Sequence, residues 1–293
     1  MSKGVALSVI ASVLFTVLYS YTTLLAPLSG EQVFGWRMLL TFPCVSLFML
    51  VSGDWQLARD VAQRIRRTPA LLLGLLVLSG LIAVQLWLFL WAPLHGRGLH
   101  VSLGYFLLPL TMILTGRLLY GDRLSRLQKT AAACAAMGVA HAFYQVGSLS
   151  WETLLVALGY PLYFALRRRL RTDHLGGLWF DMALMLPAAL WFVQAGEPIG
   201  LTFAEKPALY GLIPVLGMLS ASALICYILA SRALAFSLFG LLGYVEPVLL
   251  VAAALALGET IAPEEWLTFL PIWLAVLLLV LEGVRHLASR RTP

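Results

Sequence analysis

The chain has 293 residues, of which 61% are hydrophobic and only 12% are charged, and its mean hydropathy is +0.90. So apolar a composition excludes a water-soluble globular domain and indicates a protein whose solvent is lipid. The net charge of +6 does not indicate a nucleic-acid-binding protein, because the basic residues are scattered over short loops instead of forming one patch. We therefore expect membrane lipids as partners and no nucleic acid.

Apolar stretches of about 18 to 23 residues, long enough to cross a hydrocarbon core of about 30 Å, occur at about ten places. In chain order these predicted spans lie near residues 5–27, 32–52, 70–92, 101–120, 130–146, 150–166, 176–195, 208–230, 237–257 and 266–284. Backbone groups find no water partner in lipid, and the stretches lack period-two alternation, so we predict helices. The polar stretches 53–69 and 196–206 are interpreted as ordinary loops. The sequence thus predicts an all-α polytopic membrane protein with ten transmembrane helices.

The charged residues indicate how these spans are oriented. With the N-terminus in the cytoplasm, most of the 20 Lys and Arg residues fall in cytoplasmic loops, chiefly at 64–67, 123–129 and 167–171. Among the basic loop residues only Arg97 and Lys206 then face outward, where the loops instead collect glutamates. Because cationic loops stay in the cytoplasm, we predict a multi-pass protein with both termini on that side.

The chain also contains an internal duplication. The two copies are Leu103-Gly104-Tyr105…Pro109…Gly121-Asp122 and Leu242-Gly243-Tyr244…Pro247…Gly258-Glu259. The first copy runs into basic residues and the second into acidic ones, as expected if the two halves have opposite orientation. We therefore predict two inverted five-helix repeats, residues 1–147 and 148–293, an arrangement typical of alternating-access transporters.

Ionisable residues inside spans are costly in lipid and persist where they face a cavity or a partner. Arg37, next to Trp36, either extends to the external headgroups and pairs with Glu31, or faces a cavity and binds an anionic group of a substrate. Glu246, directly before Pro247, is either a proton carrier or a neutral carboxyl hydrogen-bonded to a neighbouring helix.

Two further residues have less specific surroundings. Asp181 is expected to pair with an arginine of the 167–171 cluster or to contact a helix dipole, with a gate as the alternative. His141 is either a hydrogen-bonded core histidine or a proton relay. The candidates for proton coupling are thus Glu246, Asp181 and His141.

The repeated aromatic and proline residues are candidates for the substrate site. Tyr105 and Tyr244 occupy equivalent positions and are expected to line a cavity. Pro109 and Pro247 are expected to kink or break their helices at matching places. The substrate-binding candidates are therefore Arg37, Trp36, Gln85, Tyr105, Pro109, Tyr244 and Pro247.

Catalytic patterns are missing from the sequence. Histidines and acids do not occur at metal-ligand spacing, and neither a Ser-His-acid arrangement nor a nucleotide-binding motif appears in a usable context. We expect a protein that is not an enzyme and that needs no metal and no cofactor.

The segment from Ala92 to Gln128 resembles the RarD-type proteins of the drug/metabolite transporter superfamily, whose halves are EamA repeats. The resemblance is carried by Ser102-Leu103-Gly104-Tyr105-Phe106, Gly121-Asp122-Arg123-Leu124, Glu31 with Arg37, Leu86 to Trp91, and Tyr244-Val245-Glu246-Pro247. It implies a ten-helix transporter of the bacterial inner membrane, with a central cavity between two inverted repeats. The sequence departs from the usual pattern at Trp36, His100, Leu108 and Glu246, so the substrate is not carried over.

These observations lead to one hypothesis and one alternative. The hypothesis is an inner-membrane secondary transporter that moves a small organic metabolite or drug, with export implied by the resemblance alone. The alternative is a flippase for a lipid or lipid precursor. The sequence leaves open the substrate, the coupling ion and the oligomeric state, a homodimer among the options.

Overall fold

The computed structural model describes residues 2–94, 97–148, 150–195, 198–256 and 263–288. All regular structure in these residues is helical. The helices are α1 (Ser2–Thr22), α2 (Gly30–Ser52), α3 (Trp55–Arg67), α4 (Ala70–Leu94), α5 (Gly98–Tyr120), α6 (Arg126–Val146), α7 (Trp151–Arg169), α8 (Leu175–Ala195), α9 (Ile199–Glu205), α10 (Leu209–Ala233), α11 (Phe236–Leu242), α12 (Val245–Ala256) and α13 (Trp266–Ala288), with 3₁₀ turns at Thr23–Leu25 and Pro263–Glu265.

The count of ten transmembrane helices stays a prediction, whereas in the described part of the chain seven helical segments are long and apolar enough to cross a membrane. These are Lys3–Leu25, Gly30–Ser52, Ala70–Leu88, His100–Tyr120, Leu175–Ala195, Leu209–Ala233 and Pro263–Glu282. Large apolar side chains on them stay exposed, for example Val51 and Leu118, as suits helices surrounded by lipid. The chain is therefore a multi-pass membrane protein.

Helix ends follow local chemistry in the polar segments between spans. Ser29 and Ser125 each accept a hydrogen bond from the backbone N–H three residues on, and Gln32 and Gln128 bond back, so α2 and α6 both begin with a capping box. At the other end of α2, Gly53 adopts a left-handed φ of 79°, a conformation that glycine takes at no steric cost. These caps satisfy backbone groups that would otherwise lack partners where a helix ends.

The interpretation of 53–69 and 196–206 as ordinary loops was wrong, because they contain α3 and α9. In α3 the buried Ala58 and Val61 lie three residues apart on one face. The last turn of α3 instead carries arginines. Such an amphipathic pattern forms a helix that packs through one face, and a search for long apolar stretches does not detect it.

The ninth predicted span is broken into α11 and α12 at Gly243 and Tyr244. Pro247 is the third residue of α12. It lies in the first turn, where a missing backbone N–H costs no helical hydrogen bond. The matching span, α5, continues through Pro109 without a break. A break therefore occurs in the second copy, where it precedes the proline, and a kink at Pro109 stays a prediction.

The helices form two compact units. Unit 1 comprises Met1–Thr16, Arg97–Pro161 and Ala230–Pro293, and unit 2 comprises Val17–Gly96 and Leu162–Leu229. Each unit thus draws on both halves of the sequence, so contacts divide the chain differently from the predicted repeat boundary at residue 147.

Within each unit the two helices with the most extensive contact approach closely through glycine. In unit 1, α6 packs along α13, and a Cβ at Gly138 would lie 2.5 Å from the carbonyl oxygen of Thr268. In unit 2, α2 packs along α8, and a Cβ at Gly35 would lie 2.6 Å from the carbonyl oxygen of Ala189. Small residues at such crossings bring polar side chains of neighbouring helices within hydrogen-bonding reach.

Candidate functional site

Arg37 in unit 2 bonds to the middle of a neighbouring helix. Its Nε donates to Ser220 Oγ over 2.9 Å, and Ser220 is fully buried. One turn away a Cβ at Gly217 would lie 2.5 Å from Leu40 Cβ, so the missing side chain lets α10 approach α2 at this level. Ser220 is the twelfth of the 25 residues of α10. The guanidinium group therefore bonds to the middle of α10, and the cavity interpretation of Arg37 stays a prediction.

Trp36, the neighbour of Arg37, contacts the short helix α9. Its ring centroid lies 5.8 Å from that of Phe203, which in turn lies 4.7 Å from the ring of Tyr210. The indole Nε1 is buried and finds no hydrogen-bond acceptor among the described residues. A buried donor without an acceptor costs about 1–3 kcal/mol, so it is a ready contact for an acceptor on a bound solute.

Asp181 belongs to a buried ion pair in unit 2. Arg167 Nη1 lies 2.6 Å from Asp181 Oδ2, and both side chains are 1% exposed. The same carboxylate oxygen accepts a hydrogen bond of 2.7 Å from the Tyr163 hydroxyl group. The structure thus shows the ion pair with the 167–171 cluster that the sequence suggested, and the partner is Arg167.

The remaining donors of Arg167 tie this ion pair to the turn between α7 and α8. Arg167 Nη2 donates to the carbonyl oxygens of Thr172, over 2.6 Å, and His174, over 3.0 Å. A Cβ at Gly177 would lie 2.6 Å from Arg167 Nη2, so glycine leaves room for the guanidinium group. Tyr163 and Arg167 are four residues apart, which places both on one face of α7. The spacing is visible in the sequence, but the role of Tyr163 beside Arg167 was not predicted from it.

Helix α4 supplies two buried polar residues to unit 2. Gln85, a substrate-binding candidate, is 1% exposed. Six residues before it, Ser79 Oγ donates to the backbone carbonyl oxygen of Asp181 over 3.1 Å. Polar side chains in so apolar a helix are costly in lipid, and Ser79 offsets the cost by bonding to α8.

The two copies of the duplicated motif contact each other in unit 1. The Tyr244 hydroxyl group donates to the carbonyl oxygen of Phe106 over 2.8 Å. A Cβ at Gly240 would lie 3.4 Å from the carbonyl oxygen of Pro109, and one at Gly243 would lie 3.8 Å from Pro109 Cγ. The broken helix of the second copy therefore packs against the proline of the first.

The two repeated tyrosines have different surroundings. Tyr244 has no exposed surface and belongs to a hydrophobic cluster with Leu241, Ile272 and other residues of α6 and α13. It acts as a packing residue, contrary to the expectation that it lines a cavity. Tyr105 is partly exposed, and its ring centroid lies 6.2 Å from that of Tyr160. The equivalence in sequence thus does not extend to exposure.

The remaining coupling candidates also lie in unit 1. Glu246 is partly exposed and occupies the first turn of α12, instead of the middle of a long helix as the sequence suggested. His141 Nδ1 lies 2.9 Å from Thr268 Oγ1, which links α6 to α13. The hydrogen bond favours the core interpretation of His141, while Glu246 sits where a helix dipole stabilises a carboxylate.

A second buried carboxylate in unit 1 was not predicted. Glu152 is fully buried at the start of α7, and its Oε1 lies 2.6 Å from Arg97 Nε. The sequence placed both residues on the outer side without pairing them. Groups of three or more potential metal ligands do not occur in the described part of the chain.

Comparison with known proteins yields full-length relatives. The chloramphenicol-sensitive protein RarD of Pseudomonas aeruginosa is 45% identical over 293 residues, covering 98% of this chain and 97% of its own length. An uncharacterized transporter of Pasteurella multocida is 40% identical, covering 99% of both chains. Protein RarD of Escherichia coli K12 is 26% identical, covering 99% of this chain and 97% of its own length. No protein-family model matches the chain.

A solved structure supports the fold. A crystal structure described only as that of a protein matches with a TM-score of 0.70, covering 97% of this chain and 99% of its own, at 17% sequence identity. The apolar helices and the names of the relatives together define the class, a multi-pass membrane transporter. The chain belongs to the RarD family.

Proposed function

We propose that this chain is a secondary transporter of the bacterial inner membrane, in which two inverted five-helix repeats, residues 1–147 and 148–293, move a small organic solute outward by alternating access. In this proposal ten helices cross the membrane, with the broken pair α11 and α12 counted as one, and both termini are cytoplasmic. Neither a metal nor a cofactor takes part.

The contact between the two motif copies carries the proposal. Inverted repeats are related by a pseudo-two-fold axis in the membrane plane, and segments near that axis lie beside their own equivalents. Pro109 against Gly243, and Tyr244 bonded to Phe106, is the kind of contact that such an axis produces. A chance duplication would give no reason for the two copies to meet.

The principal helix pairs support the same relation. The second and seventh predicted spans, α2 and α8, pack together in unit 2. The fifth and tenth, α6 and α13, pack together in unit 1, and so do α5 and α11 from the fourth and ninth. In each pair the two helices hold equivalent positions in the proposed repeats.

Arg37 is the proposed anchor for the substrate. A cation bonded to Ser220 at the middle of α10, next in sequence to Trp36, whose indole N–H finds no acceptor among the described residues, suits a solute that carries an anionic group and an apolar part. Gln85 and Tyr105 are proposed as further contacts. Pro109 and Pro247 are proposed to flank the region that changes shape, because the break between α11 and α12 lies beside them.

Glu246 is the foremost candidate for proton coupling. Asp181, which is bound to Arg167 and Tyr163, and His141, which is bound to Thr268, remain candidates beside it. The first turn of α12 favours a charged carboxyl group, whereas surrounding lipid favours a neutral one. Both protonation states are therefore within reach of a conformational change.

Thiol labelling tests the inverted arrangement. Single cysteines are placed at the exposed positions Ser52, Arg123, Ser148 and Pro207, after replacement of the native Cys44, Cys134 and Cys226 by alanine. In intact cells an impermeant maleimide should label only Ser148→Cys and Pro207→Cys. Labelling of Ser52→Cys or Arg123→Cys in intact cells contradicts the topology. Flux from proteoliposomes loaded with an amphipathic anion library then tests transport itself.

A further inference from the structure

A pocket of about 540 Å³ lies in unit 2, where α3 and α7 end and α4 begins. The proposed transport site does not use it. The eight described residues that line it include four arginines and no acid: Arg64, Arg67, Thr68, Ala70, Leu71, Arg169, Leu170 and Arg171. Because the pocket is formed by ends of α4 and α7, it lies at a membrane face and not within the bilayer core.

One of these arginines has a structural task. Arg64 Nη2 donates to the carbonyl oxygen of Leu170 over 2.7 Å, and its Nη1 donates to that of Arg171 over 3.0 Å. Arg64 therefore satisfies carbonyl groups where α7 ends and fixes the end of α3 beside them. The hydrogen bonds of Arg64 thus hold the ends of α3 and α7, which form part of the pocket wall, in fixed positions.

The other three arginines have no such task. The side chains of Arg67, Arg169 and Arg171 make no hydrogen bond or ion pair with the residues that the structure describes. Like charges around one pocket repel each other, and a bound anion offsets this repulsion because it attracts each guanidinium group. Arginine suits phosphate in particular, because its planar fork donates two parallel hydrogen bonds to phosphate oxygens.

The backbone of Arg171 has a strained, left-handed conformation. Its φ is +53°, and the Thr172 N–H donates to the carbonyl oxygen of Arg167 over 2.9 Å, closing the turn after α7. This left-handed position after a helix is one that glycine usually occupies, since a Cβ there is strained. Glycine at position 171 would relieve this strain, whereas arginine adds a cation to the pocket.

Apart from Thr68, the rest of the wall is apolar. Ala70, Leu71 and Leu170 lie beside the arginines, and a Cβ at Gly74 would lie 2.7 Å from Leu170 Cδ1, so Leu170 packs closely against α4. The amphipathic α3, with Ala58 and Val61 buried and arginines in its last turn, is typical of a helix at a lipid interface. A basic rim beside leucines matches a phosphate group that carries acyl chains.

We propose that this pocket binds the phosphate group of an anionic phospholipid, through Arg67, Arg169 and Arg171, with the first part of an acyl chain against Leu71 and Leu170. The bound lipid would hold the ends of α3, α4 and α7 together at the membrane face. Basic pockets between membrane helices have the chemistry that anionic headgroups require.

The full-length protein in nonionic detergent tests this proposal. Binding of dioleoyl phosphatidylglycerol, dioleoyl phosphatidylcholine and inorganic phosphate is measured by native mass spectrometry and by the shift in Tm. We expect phosphatidylglycerol to bind and to raise Tm, and phosphatidylcholine and inorganic phosphate to do neither. Arg67→Gln should weaken phosphatidylglycerol binding at least about tenfold, the effect of losing one charge-assisted hydrogen bond. Arg66→Gln, on the adjacent exposed arginine outside the pocket, should bind as the unsubstituted protein does.

Arg171→Gly separates binding from folding. Glycine relieves the strained backbone, so without lipid its Tm should stay equal or rise by roughly 2 °C, while phosphatidylglycerol affinity falls at least about tenfold. A fall in affinity for Arg66→Gln as large as that for Arg67→Gln would overturn the proposal in favour of diffuse charge. Tight binding of inorganic phosphate would overturn the lipid assignment in favour of a soluble phosphate.

Discussion

Tyr244 donates its hydroxyl hydrogen to the carbonyl oxygen of Phe106 over 2.8 Å, and this bond joins the second copy of the duplicated motif to the first. The tyrosine lies in the break between α11 and α12, and Phe106 lies three residues before Pro109 in α5. The tyrosine ring is packed among apolar residues of α6 and α13. One side chain thus fixes the broken helix to three neighbouring helices, α5, α6 and α13.

Tyr244→Phe should lower stability with little change in packing. It keeps the ring and leaves the Phe106 carbonyl oxygen without this donor, at a cost of about 1 kcal/mol. For a chain of this size we expect a fall in Tm of about 2–4 °C in detergent. Tyr144→Phe, on a side chain that is 82% exposed, is the matched control and should leave Tm unchanged. An equal Tm for both variants contradicts a structural role for the hydrogen bond.

The buried pair of Arg167 and Asp181 should behave as a coupled unit. Asp181→Leu alone leaves a buried guanidinium group without its counter-charge, which we expect to cost about 3–5 kcal/mol. Arg167→Met alone leaves the carboxylate group in the same situation. The double variant removes both charges and should recover most of the stability, since apolar replacement of a whole buried pair is often nearly neutral.

Thermal unfolding of the four proteins gives the coupling free energy of this pair. If the losses of the two single variants simply add in the double variant, the two side chains do not stabilise each other. Retained flux in the double variant would in addition exclude proton coupling through Asp181.

The seven long apolar helices of the described residues could be predicted because lipid imposes one solution on the backbone, whatever the side chains. A kink or break of the ninth span was predicted from Pro247, but its position at Gly243 and Tyr244 was not. A proline in a first turn starts a new helix at no cost, so the chain breaks before it. Helix α3 was not predicted, because its apolar residues form one narrow face and not a continuous apolar stretch long enough to mark a span.

The site was less predictable, since its partners are distant in sequence. Arg37 was recognised as costly in lipid, yet nothing in the chain pointed to Ser220, 183 residues away. Asp181 could be paired with an arginine of the 167–171 cluster, because both were predicted near the cytoplasmic face of the membrane and lie close together in the sequence. The choice of Arg167 depends on the turn through Thr172 and on the space at Gly177, which only the fold supplies.

Arg37→Ala should reduce flux of an anionic or zwitterionic substrate about 10- to 100-fold at subsaturating concentration, the effect of losing one or two charge-assisted hydrogen bonds. Ser220→Ala should have a smaller effect in the same direction, because it removes the group that orients the guanidinium. Arg117→Ala, on an exposed arginine of α5, serves as the control. Proteoliposome uptake measures all three, and normal transport by Arg37→Ala returns this residue to the headgroup interpretation.

Two glycines offer a test of helix contact in unit 2. A Cβ at Gly35 would lie 2.6 Å from the carbonyl oxygen of Ala189, so Gly35→Ala must push α2 from α8, at a cost of about 1–3 kcal/mol. A Cβ at Gly80 meets nothing within 4 Å. Gly80→Ala should therefore keep or raise stability, as alanine favours a helix by about 1 kcal/mol. Melting curves of both variants in one detergent measure the two effects. Equal Tm values would contradict the close approach of α2 to α8 at Gly35.

Glu246 is the residue whose two possible states are most easily separated by substitution. It occupies the first turn of α12, where the helix dipole favours the carboxylate form and surrounding lipid favours the neutral form. Glu246→Gln keeps shape and hydrogen bonding but fixes the neutral form. If the carboxyl group carries a proton, the variant should lose flux driven by a pH gradient, while it still binds substrate and exchanges it between equal pools.

Glu264→Gln, on an exposed glutamate of the 3₁₀ turn before α13, controls for the loss of one negative charge and should transport normally. Proteoliposomes with an imposed pH gradient measure net flux, and the same vesicles at equal pH measure exchange. Loss of both activities in Glu246→Gln would assign the residue to substrate binding or folding, because a pure proton carrier is dispensable for exchange. Unchanged flux under the gradient would show that Glu246 carries no proton and serves as a hydrogen-bond partner at the start of α12.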